Sequence, residues 1–146
     1  MDENSYAIRA EFDSKKGFDN VLRRVKSAFL EQGFGVLTEI NVAETLKKKM
    51  GINYKDKYVI LGICNPKFAY DLLKQEKEIG LVLPCNVIVY ESGKGKIVVS
   101  ALNPEIALEI FNKKDKSGKI EDIKCDAREK IVEAIKNLKK GEENGK

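Results

Sequence analysis

Two segments of the chain are apolar on both faces, and this feature most limits the folds open to it. They are KYVILGIC at 57–64 and CNVIVYE at 85–91. A strand with one face in water would alternate apolar and polar residues, so both strands are predicted to be covered on both faces. The cover would be either the chain's own short helices, at 42–50 and 104–111, or a partner subunit. Twofold homodimers are the commonest oligomers of soluble proteins, so we favour a homodimer.

The remaining periodicity predicts a mixture of strands and helices. Strands are expected at 5–12, 34–40, 57–64, 85–91 and 96–102, and helices at 17–32, 42–50, 66–78, 104–111 and 119–139. Asp13 and Ser14 would cap the first helix, and Gly33 would end it. Helices must lie on the sheet to bury their apolar stripes, which gives a two-layer α+β fold with an antiparallel-rich sheet. We expect a single domain over 1–140 and a flexible tail over 141–146.

Composition excludes several classes of function. The chain of 146 residues has no histidine, which excludes Ser-His and Cys-His nucleophile pairs and His-ligated zinc or haem. Its three cysteines are an odd number and widely spaced, so they indicate a reducing cytoplasm and no disulfide framework. No apolar run approaches the roughly 18 residues of a membrane span, and no signal peptide is evident. We therefore expect a cytoplasmic protein without a membrane partner.

The most distinctive motifs place a cysteine at a strand boundary, beside asparagine and proline. The first motif is Cys64-Asn65-Pro66, and the second is Pro84-Cys85-Asn86. Cys64 precedes a helix that Pro66 would open, and a helix N-terminus lowers the pKa of a nearby thiol. Both cysteines could therefore form a thiol site, for sulfur or redox chemistry or for a soft metal. Alternatively both are small buried apolar residues, which is the commonest role of free cysteine. Cys125, in the last helix, would be a packing or surface residue.

Charged residues offer weaker candidates. Glu78 and Glu91 could flank a cleft as a pair of acids, although carboxylates at element ends are usually solvated. The lysines at 47–49 and 113–119 could contact phosphates, but they lack interleaved aromatic residues. The segment 93–96 joins two strands and opens no helix, so it is a hairpin turn and no phosphate loop.

The sequence resembles a known family at this point. The resemblance rests on GICNP at 62–66 with Ala69 after it, and on the run IGLVLPCNVIVYE at 79–91. Together these resemble the domain-of-unknown-function 302 family over about residues 5–138. The resemblance implies a fold similar to one repeat of the TATA-box-binding protein, with the order β-α-β4-α and short extra helices, often dimeric. It implies no established activity, and its motif cysteines correspond to Cys64 and Cys85.

Three functions remain open after these exclusions. The first is a dimeric module that binds a small ligand or a metal at Cys64 and Cys85. The second is a thiol-dependent redox or sulfur-transfer protein that uses the same cysteines, and the third is a nucleic-acid binder, which is the least favoured partner class. No cofactor is identified, and whether the chain is an enzyme stays open. A conventional hydrolase or transferase is the least favoured class of enzyme.

Overall fold

The computed structural model describes residues 5–93 and 95–143, and it contains one five-stranded sheet with helices. The strands are β1 Ala7–Asp13, β2 Gly35–Asn41, β3 Tyr58–Cys64, β4 Cys85–Glu91 and β5 Lys96–Leu102. The helices are α1 Phe18–Glu31, α2 Val42–Met50, α3 Pro66–Gln75, α4 Pro104–Ala107 and α5 Lys119–Glu143. Short 3-10 helices cover Ser14–Lys16, Lys77–Val82 and Glu109–Lys114. Leaving out α2, α3 and α4, the order is β-α-β4-α, as predicted.

The sheet has the strand order β1-β5-β4-β3-β2, and every neighbouring pair is antiparallel. The two strands with apolar residues on both faces are β3 and β4, and in the sheet they are inner strands that pair with each other. Their register places Ile60 opposite Ile88 and Ile63 opposite Cys85. The prediction of an α+β fold with an antiparallel sheet is therefore confirmed.

Helices α1 and α5 pack together on one face of the sheet and form the main core with it. The inward side chains of β3 and β4 are Val59, Leu61, Ile63, Val87 and Val89, and each is at most 4 % exposed. Fully burying one such side chain contributes about 1.5–3 kcal/mol. This face is closed by the chain itself. The opposite face is half-buried at Tyr58, Ile60, Ile88 and Tyr90, and we call these four residues the open face.

A second, smaller core lies at the end of the sheet where β3 ends and β4 begins. It is built from the segments 66–82 and 104–114, which we call the accessory layer, together with the first turns of α5. Its buried members are Leu72, Ile79, Leu108, Phe111, Ile120 and Ile123. Phe68 packs against both cores, so the seam between them runs beside α3.

Some helix ends differ from the predictions. Gly17, with a φ of 86°, precedes α1, whereas Asp13 accepts a hydrogen bond from Lys96 Nζ at 2.6 Å. The expectation that Asp13 and Ser14 cap α1 is therefore wrong, because a 3-10 turn separates them from it. Helix α3 ends at Gln75, since Glu76 is extended with a φ of −158°.

The last helix is longer than predicted. It continues to Glu143, so the first residues of the expected tail are helical, and residues 144–146 lie outside the described part of the chain. None of the helices over the described residues is both long and apolar enough to cross a lipid bilayer.

Candidate functional site: a thiol-lined cavity

Cys64 and Cys85 line one cavity at the seam between the two cores. Cys64 is the last residue of β3 and Cys85 the first of β4, and Cys85 lies opposite Ile63 in the ladder. The cavity has a volume of about 40 Å³, and its walls are almost wholly apolar. Its lining includes Phe34, Asn65, Phe68, Leu83, Leu108 and Ala127 besides the two cysteines. One water needs about 10–15 Å³ of such space, so the cavity accepts a guest of only a few atoms.

Burial keeps both thiols of the cavity protonated. Desolvation raises the pKa of Cys64 from the ordinary 9.0. It raises the pKa of Cys85 to about 11, with a smaller contribution from the neighbouring Cys64. The expected lowering of the pKa of Cys64 by the helix start at Pro66 is not found, because the shift is upward and its cause is burial. All three cysteines are free. Cys125 is exposed, so of its two expected roles, packing or surface, it has the surface one.

Asn65 connects the cysteine motif to helix α3. Its Oδ1 accepts hydrogen bonds from the backbone N–H groups of Lys67 at 3.1 Å and Phe68 at 3.2 Å, so it caps the helix. Pro66 occupies the first turn, where a missing N–H costs nothing. These two residues thus direct α3 and its Phe68 towards the cavity. Pro66 itself is exposed and does not line the cavity.

Pro84 and Asn86 lie on the other side of β4 and do not line the cavity. Asn86 is exposed and pairs with Gly62 across the ladder. The Pro84 ring lies so near Gly62 that an added β-carbon there would be 2.9 Å from its Cγ, and it would also collide with the Thr38 hydroxyl. The two motifs therefore meet at this end of the sheet, where Cys64 and Cys85 line the cavity and the Pro84 ring packs closely on Gly62.

Glu78 and Glu91, the candidate acid pair, lie at opposite ends of β4. Glu78 is exposed in the 3-10 helix that precedes β4, and its N–H bonds to Glu76. Glu91 ends β4, where its Oε1 accepts the backbone N–H of Lys57 at 2.6 Å. A strand of seven residues spans about 20 Å, so the structure does not bring the two carboxylates together.

The site offers two thiols and no third ligand for a metal. Within residues 5–93 and 95–143, no group of three or more Cys, Asp or Glu side chains is arranged to hold an ion. A closed zinc site takes four ligands and a catalytic one three. The residues of the cavity therefore fit a neutral guest better than a divalent cation.

Most of the cavity wall could not be identified from sequence motifs. Phe34 and Phe68 approach each other with ring centroids 6.3 Å apart, although 33 positions separate them. Leu108 directly follows α4 and Ala127 lies in α5, both far along the chain. The sequence signals for these wall residues were weak: Phe34 follows Gly33, the glycine that ends the first helix, and Ala69 follows the GICNP motif.

Comparison with known proteins agrees with the fold and gives the family. The crystal structure of an uncharacterised conserved DUF302 protein from Bacillus stearothermophilus superposes with a TM-score of 0.78 at 23% identity, covering 91% of this chain and 98% of that one. No curated protein matches the sequence. The family model described as domain of unknown function DUF302 matches residues 10–138. The chain therefore belongs to the DUF302 family.

Proposed function

We propose that this protein is a binding module for a small neutral ligand, held in the cavity between Cys64 and Cys85, and that it acts as a homodimer. The observation that carries the proposal is that Cys64 and Cys85 both line one small, almost wholly apolar cavity. Specific ligand sites are mostly apolar, with a few polar groups that fix orientation, and the two S–H groups supply weak donors and acceptors of that kind.

The pKa direction favours a neutral ligand over a metal ion or a redox relay. A metal-bound or nucleophilic cysteine is a thiolate, and the surroundings of Cys85 hold its pKa at about 11. Forming two thiolates there would place uncompensated charge in an apolar wall. We therefore propose binding of a neutral ligand ahead of metal binding and ahead of thiol-dependent redox or sulfur-transfer chemistry.

Nucleic-acid binding has the least support. Lys48, in the basic run of α2, lies 2.9 Å from the Glu44 carboxylate, and Lys26 lies 2.5 Å from Glu39. Lysines that already face carboxylates have less charge to offer a phosphate backbone. The three unpaired cysteines fit a reducing compartment, so a cytoplasmic location remains part of the proposal.

The dimer proposal rests on the open face. Its four side chains are only half-buried, although they belong to β3 and β4, which are inner strands of the sheet. The short helices considered as cover do not bury it: α2 has no buried residue, and Leu108, the residue after α4, packs in the second core. A second copy related by a twofold axis would cover the same face on both chains.

Xenon is a suitable probe of the cavity, because it is neutral, apolar and small. In amide spectra recorded under xenon pressure, we expect saturable shifts at Cys64, Phe68, Cys85 and Leu108. Ala127 is 7% exposed and lines the cavity, so Ala127→Val should fill it and abolish these shifts. Ala43→Val, on α2 at the far end of the sheet, is the matched control and should keep them. Shifts that are absent, or that persist in Ala127→Val, would contradict the proposal.

A further inference from the structure

A second groove lies at the opposite end of the sheet from the thiol cavity. It is enclosed by the start of α1, by α2 and by the loop 51–57 that leads into β3, and its volume is about 460 Å³. Tyr58 lines this groove and Cys64 lines the thiol cavity, and six residues of β3, about 20 Å, separate them. Small-molecule sites commonly measure about 300–1,000 Å³, so the groove has the size of one.

Three aromatic rings form the wall of the groove: Phe18, Tyr54 and Tyr58. The chain has only 11 Phe and Tyr residues and no Trp, so three in one groove is a concentration. The ring of Tyr58 is held in place by Tyr90, on which it stacks with ring centroids 5.3 Å apart and planes at 14°. Tyr90 is held in turn, because its hydroxyl oxygen accepts a hydrogen bond from Arg9 Nη2 at 3.1 Å. A ring entering the groove would therefore meet an ordered aromatic surface.

Two ammonium groups stand at the same groove. Lys57 has its Nζ 5.9 Å from the centroid of Phe18, and its backbone is fixed by two hydrogen bonds with Glu91. Lys47 enters from the last turn of α2. Over residues 5–93 and 95–143, neither ammonium has a carboxylate oxygen within 4.0 Å. Both lysines thus keep their charge for a ligand.

Two carboxylates, Asp19 and Glu44, line the groove, and neither repels a bound anion strongly. Glu44 bonds Lys48 at 2.9 Å, a lysine outside the groove. Asp19 lies in the first turn of α1, where the partial positive charge of the helix offsets it. Aromatic walls with two available cations match a planar ring that carries negative charge.

We propose that this groove binds a small aromatic anion, a planar ring bearing a carboxylate, sulfonate or phosphate group. The ring would lie against Tyr54 and Tyr58, and the acidic group would meet Lys47 and Lys57. This site is independent of the thiol cavity and needs no thiol.

The probe is the dye anilinonaphthalenesulfonate, and its uncharged analogue phenylnaphthylamine is the matched neutral probe. The anionic dye should bind one site per chain, more weakly as salt rises, with amide shifts at Asn41, Lys47 and Asn53. The double variant Lys47→Gln/Lys57→Gln should weaken its binding about tenfold and leave the neutral probe unchanged. Tyr54→Ala should weaken both probes.

Lys49→Gln/Lys55→Gln is the control, since these lysines belong to the same segments and do not line the groove. It should leave both affinities unchanged. The proposal is overturned if both probes bind alike, if the control pair has the same effect as the groove pair, or if the shifts map to Cys64 and Cys85. Because Tyr58 also belongs to the open face, the dye is tested on the dimer, and the proposal is also overturned if the dye binds only to the monomer, since a second copy would then fill the groove. Failure here leaves the xenon experiment unaffected, since the two sites share no lining residue.

Discussion

The side-chain nitrogen of Asn65 lies 2.9 Å from the point where a β-carbon on Gly33 would stand. Gly33 ends the turn after α1 with a φ of 87°, and Asn65 starts α3. The end of one helix is thus packed directly on the cap of the other, beside the cavity that Phe34 and Phe68 line.

The cap at Asn65 should be measurable as stability. Asn65→Ala removes the acceptor of two backbone N–H groups, and we expect a loss of about 1 kcal/mol in the free energy of unfolding, by urea denaturation. Asn65→Asp keeps the acceptor and should retain most of the stability that the cap contributes. Asn41→Ala is the matched control, since Asn41 caps α2 through Glu44 N–H at 3.0 Å but lies far from the cavity. Asn41→Ala should reduce stability by a similar amount without changing xenon binding, whereas Asn65→Ala should change it. Equal changes of xenon affinity in the two variants would contradict a local role of Asn65 at the cavity.

Gly62 should tolerate no side chain. Its β-carbon would collide with the Thr38 hydroxyl and lie 2.9 Å from Pro84 Cγ, so Gly62→Ala must displace β2 or the β4 entry. We expect a loss of about 2 kcal/mol or more, in the range of overpacked cores. Gly80→Ala has open space around the new atom and should cost less than half as much. Equal losses in the two variants would show that conformational freedom, and not contact, governs Gly62.

The Cys85 thiol should make stability depend on alkaline pH. Its pKa is raised from 9.0 to about 11, so folding favours the protonated thiol. The stabilisation is complete below the unfolded pKa of 9.0 and is lost as pH rises through the folded pKa of about 11. Because lysines and tyrosines titrate in the same range, the measurement is the difference in unfolding free energy between wild type and Cys85→Ala. That difference should fall over this pH interval, and a flat difference would contradict the buried, neutral thiol.

Alkylation should rank the cysteines by access. We expect Cys125, which is exposed, to react before Cys64, and Cys85 to react last. The measurement is peptide mapping after timed treatment with iodoacetamide under native conditions, with the unfolded protein as the control in which all three rates converge. Rapid reaction of Cys64 or Cys85 would instead favour the thiol-dependent alternative.

The open face should govern self-association. Ile60→Lys and Ile88→Lys place a charge among the half-buried side chains of β3 and β4, and light scattering after size exclusion should show monomers. Ile110→Lys changes a side chain that is 71% exposed in the accessory layer, and it should leave the dimer intact. A monomeric wild type, or equal effects of all three variants, would contradict the proposed interface.

The elements themselves follow from local patterns. Alternation, Gly stops and Pro starts predict α2, β4 and β5 with their observed ends, because periodicity depends on residues within one or two turns. The ends that differ involve alternatives of similar energy, such as the 3-10 turn between Asp13 and α1. The inner position of β3 and β4 comes from the tertiary structure; their two apolar faces predicted cover on both sides, and the chain itself fully buries only one of them.

Tertiary structure alone decided what the candidate residues do. The direction of the thiol pKa depends on burial, and the cavity wall around Cys64 and Cys85 includes Phe68, Leu108 and Ala127, which no local pattern places there. The separation of Glu78 from Glu91 likewise follows from the direction of β4 and not from spacing. Secondary structure is encoded by near neighbours along the chain, whereas burial and electrostatics sum over neighbours in space, so the sequence determined the scaffold and the packing determined the chemistry of its site.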